Sequence, residues 1–163
     1  MPVTGDIEAL YQRYAGDVFR FALYLSGNRA EAEDIASETF VRVWRAGNDL
    51  RPPTVKAYLF AIARNLYLQD RRRQWRRSEL SDALADQGPG PHVEAAARVE
   101  LAAVLKALQS LPELDRAALL MRAQDQMPYE EIAATLGLSL PAARVKVHRA
   151  RMRLATLCGR KEP

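Results

Sequence analysis

Between two stretches of helical periodicity lies SELSDALADQGPGPHV, residues 78–93. A Gly-Pro-Gly-Pro run cannot continue a helix. Proline has no amide hydrogen and its ring clashes with the preceding turn. The segment also has little to bury, so it reads as an exposed, flexible linker spanning at most roughly 55 Å when extended. It divides the chain into two halves, 1–77 and 94–163, each of a size that folds with only modest stability alone. Alanine, leucine, arginine and glutamate dominate both halves and β-branched residues are sparse, which favours helix over strand. The expected fold is all-α: two small helical domains, the second containing a helix-turn-helix.

In the first half, Ile7, Leu10, Tyr14, Val18, Phe21 and Leu25 recur at spacings of three and four, predicting a helix over 5–26. A second helix is expected over 29–46, with acids in its first turns, Arg42 and Arg45 in its last, and Gly47 closing it. Thr54 is a good N-cap for a third, running to Arg77. In the second half a helix is expected over 94–110, another from Pro112 to Gln124, and then two shorter ones.

Several classes fall away. One cysteine, Cys158, gives no disulfide framework and no Cys-cluster metal site, so no metal or cofactor is expected and a reducing compartment is. No apolar run approaches the roughly 20 residues needed to span a bilayer. The N-terminus lacks the basic and apolar regions of a signal peptide. A cytoplasmic protein is the expectation.

Charge is unevenly placed. Residues 1–50 are net −3, 56–77 are net +6, and 144–161 are net +7 with no acid. The two basic windows hold 14 of the 24 lysines and arginines, a pattern that suits contact with phosphates. Solvated helix faces are the plainer alternative.

The most specific signal is PYEEIAATLGLSLPAARVKVHRARMRL, residues 128–154. A short helix with an apolar face (Ile132, Ala133, Leu136), a turn glycine, Gly137, a plug residue, Leu138, and a capping Ser139 spell a helix-turn-helix. On the second helix Ala143, Val147, Ala150 and Leu154 share the inner face. Arg144, Val145, His148 and Arg149 lie opposite, and Lys146 and Arg151 add to the basic character. That face suits a major groove, with arginine reading guanine edges or phosphates. The alternative is an ordinary helical hairpin.

The third helix carries Lys56, Phe60, Arg64, Tyr67, Arg71 and Trp75 in one sector about 100° wide. Alternating cations and rings suit single-stranded nucleic acid, the cations holding the backbone and the rings stacking on bases. Alternatively, Phe60 and Tyr67 are core and the cations are solvated. The second helix places Asp34, Glu38, Val41 and Arg45 on one face and Ala36, Phe40, Val43 and Trp44 on another, which suits a protein docking face. Catalysis by these acids is the poorer reading, since no histidine or cysteine lies near them in sequence.

The runs EDIASETFVRVWR, AYLFAIARNLYLQDRRR and LPELDRAALLMRAQDQMPYEEIAATLGLSLPAARVKVHRAR occur in this order. Together they resemble a bacterial RNA polymerase sigma factor, of the small extracytoplasmic-function (ECF) group of the sigma-70 family. The resemblance covers about residues 6–158. It implies a first domain, 1–77, that docks on the polymerase clamp and opens the −10 element, and a second, 94–163, that reads the −35 element and meets the flap. It implies polymerase contacts at Asp34, Glu38, Phe40, Val41 and Trp44. It implies −10 contacts in the loop at Asn48 and Asp49 and along Lys56, Phe60, Arg64, Asn65, Tyr67 and Arg71, although the wheel sets Asn65 away from the stripe. It implies −35 contacts at Arg144, Val145, Lys146, His148, Arg149 and Arg151. An anti-sigma protein is a further implied partner, while a small-molecule substrate, enzymatic activity and membrane insertion are not implied. Departures from the family pattern are Pro128 in place of a Ser or Thr cap, apolar Val145, and a short loop, LRPPTVK. The rivals are a stand-alone helix-turn-helix regulator and a hydrolase built on Asp34, Glu38 and His148.

Overall fold

In the computed structural model the described residues are 4–47, 54–78 and 95–159, with side chains placed for 7–47, 54–77 and 98–159. The linker expected at 78–93 therefore lies, but for Ser78, outside the described residues, as do Asn48 and Asp49. Seven helices make up the described part: α1 (Thr4–Ser26), α2 (Arg29–Ala46), α3 (Val55–Ser78), α4 (Ala95–Gln109), α5 (Glu113–Asp125), α6 (Tyr129–Leu136) and α7 (Leu140–Leu157). The all-helical expectation holds. One length does not: the last helix, expected to be short, has 18 residues, as many as α2.

Local chemistry sets the boundaries. Asn28 Oδ1 accepts from the Glu31 amide at 2.9 Å and caps α2. Thr54 Oγ1 accepts from the Ala57 amide and caps α3. Gly47 and Gly137 end α2 and α6 at φ 70° and 67°, where a side chain would be strained. Gln126 closes α5 at φ 52°, the only non-glycine residue with positive φ among those described. The Arg122 guanidinium then donates to Met127 O, fixing the turn into α6.

In the first domain α1, α2 and α3 pack on one another around Val18, Phe21, Leu25, Ile35, Leu59 and Phe60. Phe21 and Phe60 stack with centroids 4.4 Å apart and planes 7° from parallel. In the second, α5 and α6 pack against α7 around Met121, Ile132, Ala143 and Val147. The two cores are continuous, because α1 also packs on α4 and α5, and α3 on α6. Helix α3 is thus covered on both sides. Apolar residues run round its first three turns, and a helix apolar all round is a buried one.

Candidate nucleic-acid interface

Helices α6 and α7 build the expected helix-turn-helix. The amide of Leu138 donates to Ala133 O at 2.8 Å across the glycine turn, and Leu138 packs on the core. Ser139 Oγ accepts from the Ala142 amide and starts α7, with Pro141 in its first turn, where the missing donor costs nothing. Ala143, Val147 and Ala150 are buried. Opposite them Arg144, Val145, His148, Arg149 and Arg151 are exposed, and Arg144, Val145, His148, Arg149 and Met152 line a shallow, carboxylate-free groove. Arg144 also sits over the Tyr129 ring of α6 at 5.8 Å, a cation–π contact that pre-orients it. Lys146 differs from the other cations of α7. Its ammonium lies 3.2 Å from the buried carboxylate of Asp115 on α5, so it ties α7 to α5 rather than joining the outer face.

The α3 stripe stands otherwise than as an open strand-binding face. Phe60 is fully buried and Tyr67 is 4% exposed, so neither ring offers a stacking surface. Both belong to the core, the alternative the sequence left open. The stripe's cations are paired with groups elsewhere in the chain. Arg64 makes a two-pronged bond to Glu113 of α5, at 2.6 and 2.9 Å. Lys56 lies 2.9 Å from Asp125 of α5 and 3.4 Å from Asp17 of α1. Arg71 donates to Ser26 O at 3.0 Å and covers the Tyr67 ring at 5.0 Å. Asn65 is exposed, off the stripe, and Trp75 is 67% exposed.

The docking helix is also partly corrected. Asp34 and Trp44 are exposed, Glu38 and Val41 half-buried, and Glu38 pairs with Arg42 at 3.5 Å. Phe40 is 5% exposed and meets Tyr11 edge-on at 5.0 Å, so it packs inward instead of facing a partner. An open groove between α2 and α3 runs beside Asp34, Glu38 and Val41 to Asp70 and Arg73.

Sequence reasoning missed the second domain's contribution to α3. Arg116 is 4% exposed; its guanidinium donates to Tyr67 Oη at 2.9 Å and to Leu111 O at 2.9 Å, and burial pulls its pKa down. Burial pushes Asp125 up despite the Lys56 hydrogen bond and charge. Burial acts against the Lys56 charge as well, but Asp125 and Asp17 outweigh it and hold the ammonium above its ordinary value. The two directions agree with exposure: the Asp125 side chain is 4% exposed and the Lys56 side chain 30%. A signal was present. Arg116 near the start of α5 and Asp125 at its end both oppose the helix dipole, so something beyond the helix holds them.

Among the described residues no group of three His, Cys, Asp or Glu side chains could hold a metal ion, and no helix is long and apolar enough to cross a membrane.

Comparison with known proteins agrees with this architecture. The profile of Sigma-70 region 2 matches residues 10–77, and that of Sigma-70, region 4, matches 101–154. These define a two-domain sigma-70 protein in which the helix-turn-helix lies within the second match. The chain is 31% identical over 156 residues to the ECF RNA polymerase sigma factor SigM of Bacillus subtilis, covering 94% of this chain and 96% of that one. It is 37% identical over 163 residues to ECF SigE of Mycolicibacterium smegmatis, covering 93% of this chain but only 63% of the relative's length. A solved structure of the sigma factor RpoE in complex with the anti-sigma factor NepR, from Bartonella quintana, superposes with a TM-score of 0.81 at 25% identity, covering 96% of this chain and 99% of that one. CnrH in complex with the cytosolic domain of CnrY superposes with a TM-score of 0.71 at 28% identity, covering 94% and 87%. The chain belongs to the ECF group of the sigma-70 family.

Proposed function

We propose that the chain is a promoter-recognition subunit of bacterial RNA polymerase, acting in the cytoplasm as a binding protein with no chemistry of its own. The observation that carries this reading is the outer face of α7. Arg144, Val145, His148, Arg149 and Arg151 stand exposed on a capped, well-packed helix-turn-helix in a chain that also matches region 2. A helix of this kind enters the major groove and lets arginine bond guanine edges, so this face reads the −35 element. Helix α2 docks on the polymerase clamp through Asp34, Glu38, Val41 and Trp44. The −10 element falls to the loop at Asn48 and Asp49 with Lys56, Arg64, Asn65 and Arg71 of α3. The domains are taken as 1–77 and 94–163, with 78–93 between them. One structural relative is solved with an anti-sigma factor and a second with the cytosolic domain of another protein, which supports an anti-sigma partner for this chain too.

In-vitro transcription with core polymerase, followed by sequencing of the start sites, tests this. Starts sharing upstream elements, absent with core alone, are expected. No initiation above core alone overturns it.

A second reading, a regulator that binds duplex DNA without polymerase, gains from one observation: the α7 face is open while the α3 stripe is covered. Co-purification with core polymerase separates the two.

A further inference from the structure

Val145 is the odd member of the outer face of α7. It is 50% exposed and its side chain has neither donor nor acceptor, yet it shares a groove with Arg144, His148 and Arg149. Arg144 precedes it, and His148 and Arg149 follow one turn on, at the spacings of three and four that make neighbours on a helix surface. Ala143 and Val147, two residues to either side, are fully buried, so Val145 faces directly away from the core. Its direction is also fixed. A β-branched side chain holds mostly one rotamer in a helix, so the two methyl groups are presented without further loss of freedom. Beside it the Tyr129 ring steadies the Arg144 guanidinium at 5.8 Å.

One exposed valine is ordinary on a protein surface. This one gains a meaning from its place on the helix. Residues near the start of a recognition helix meet base edges in the major groove, and Val145 lies in the second turn of α7. In that groove adenine, guanine and cytosine present hydrogen-bonding groups only. Thymine alone adds an apolar group, its C5-methyl. Against a purely polar edge, Val145 would displace water from a donor or acceptor and leave it unpaired, which is costly. Against thymine it meets a methyl. A protein surface is the poorer occupant: it would desolvate Arg144 and Arg149 in a groove whose lining holds no carboxylate, whereas DNA brings phosphate counter-charge together with the methyl. We infer that Val145 is a specificity-determining residue of this chain. It selects a thymine in the −35 element through the C5-methyl, while Arg144 and Arg149 hold the flanking phosphates or guanines. The inference rests on the reading of α7 as the −35 helix.

Thymine and uracil differ at this edge by the methyl alone, which makes the test direct. The chain, assembled with core polymerase, selects from synthetic duplexes randomised over the upstream region. Each thymine of the enriched element, on either strand, is then replaced singly by uracil, and affinity is read by competition. One replacement is expected to weaken binding about 3- to 5-fold, the effect of exposing one buried methyl, and the others much less. In Val145→Ser the thymine-to-uracil ratio at that position is expected to fall to parity, while the ratios at the other positions stay as they were. A ratio taken on one protein is insensitive to a variant that merely folds or assembles less well, because both duplexes then weaken alike. An enriched element without thymine, or one in which every uracil replacement is silent, overturns the inference and leaves α7 as the −35 helix. A ratio that persists in Val145→Ser assigns the methyl to another side chain and overturns it too. Enrichment of no upstream element overturns the −35 reading itself, and this inference with it.

Discussion

Gly27 is where a single hydrogen atom matters. It follows α1 at φ 72°, and a Cβ built there would lie 3.0 Å from the side chain of Gln109 in α4. Gly27→Ala therefore meets two penalties: a left-handed backbone, which disfavours any side chain by about 1–2 kcal/mol, and a displaced Gln109 whose bond to Tyr24 O joins the domains. The expected result is a loss of about 1–2 kcal/mol in urea melts, together with looser domain packing. Glu31 is a second such position. Burial raises its carboxyl above the ordinary glutamate range in spite of the Arg71 charge, and its Oε1 is buried without a hydrogen bond. The folded chain thus binds this proton more tightly than the unfolded one. Stability from this group is fullest below the ordinary glutamate pKa and falls as pH rises through the raised value. Glu31→Gln should flatten that fall in melts followed upward in pH from the ordinary glutamate value. An unchanged slope would remove Glu31 as its source.

At the scale of elements, helix periodicity and caps were legible where one face of a helix is buried and the other wet. Helix α2 runs over the expected 29–46 and Gly47 closes it, and the inner face of α7 is Ala143, Val147 and Ala150 as the wheel has it. Helix α3 resisted the same reading because it is buried on two sides by different domains. A wheel assigns one core face, so Phe60 and Tyr67 were left over and looked like a nucleic-acid stripe. Phe40 is a different case: the wheel set it on the apolar face with Ala36 and Val43, where it is buried against Tyr11, and only the resemblance made it a polymerase contact. The outer face of α7 has its own test. Arg144→Ala and Arg149→Ala should each cost about 1–3 kcal/mol toward the preferred duplex if the side chain reads a base. A phosphate contact would weaken all sequences alike and lower the salt slope by about one. Arg144 differs in one respect: Tyr129→Ala should weaken it indirectly, since the ring beneath it holds the guanidinium in place.

For the whole molecule, two helical domains were legible from the proline–glycine break, but their mutual packing was not. Interdomain pairs such as Arg64–Glu113 join residues far apart in sequence, and no local pattern announces them. On the docking face, Asp34→Lys/Glu38→Lys should weaken capture by core polymerase while leaving the thermal melt nearly unchanged, since neither side chain is buried. Unaltered capture would move the docking face elsewhere. Trp44, on the same helix, brings an optical consequence. The chain has two tryptophans, Trp44 and Trp75, and they are 55% and 67% exposed in the folded state. Both indoles already sit largely in water before unfolding, so their emission starts red and has little further to move when the chain melts. A partner that seats itself over Trp44 does the opposite, drawing the indole into an apolar setting and shifting its light to the blue. Tryptophan fluorescence, a poor thermometer of this fold, is thereby a ready gauge of its occupancy.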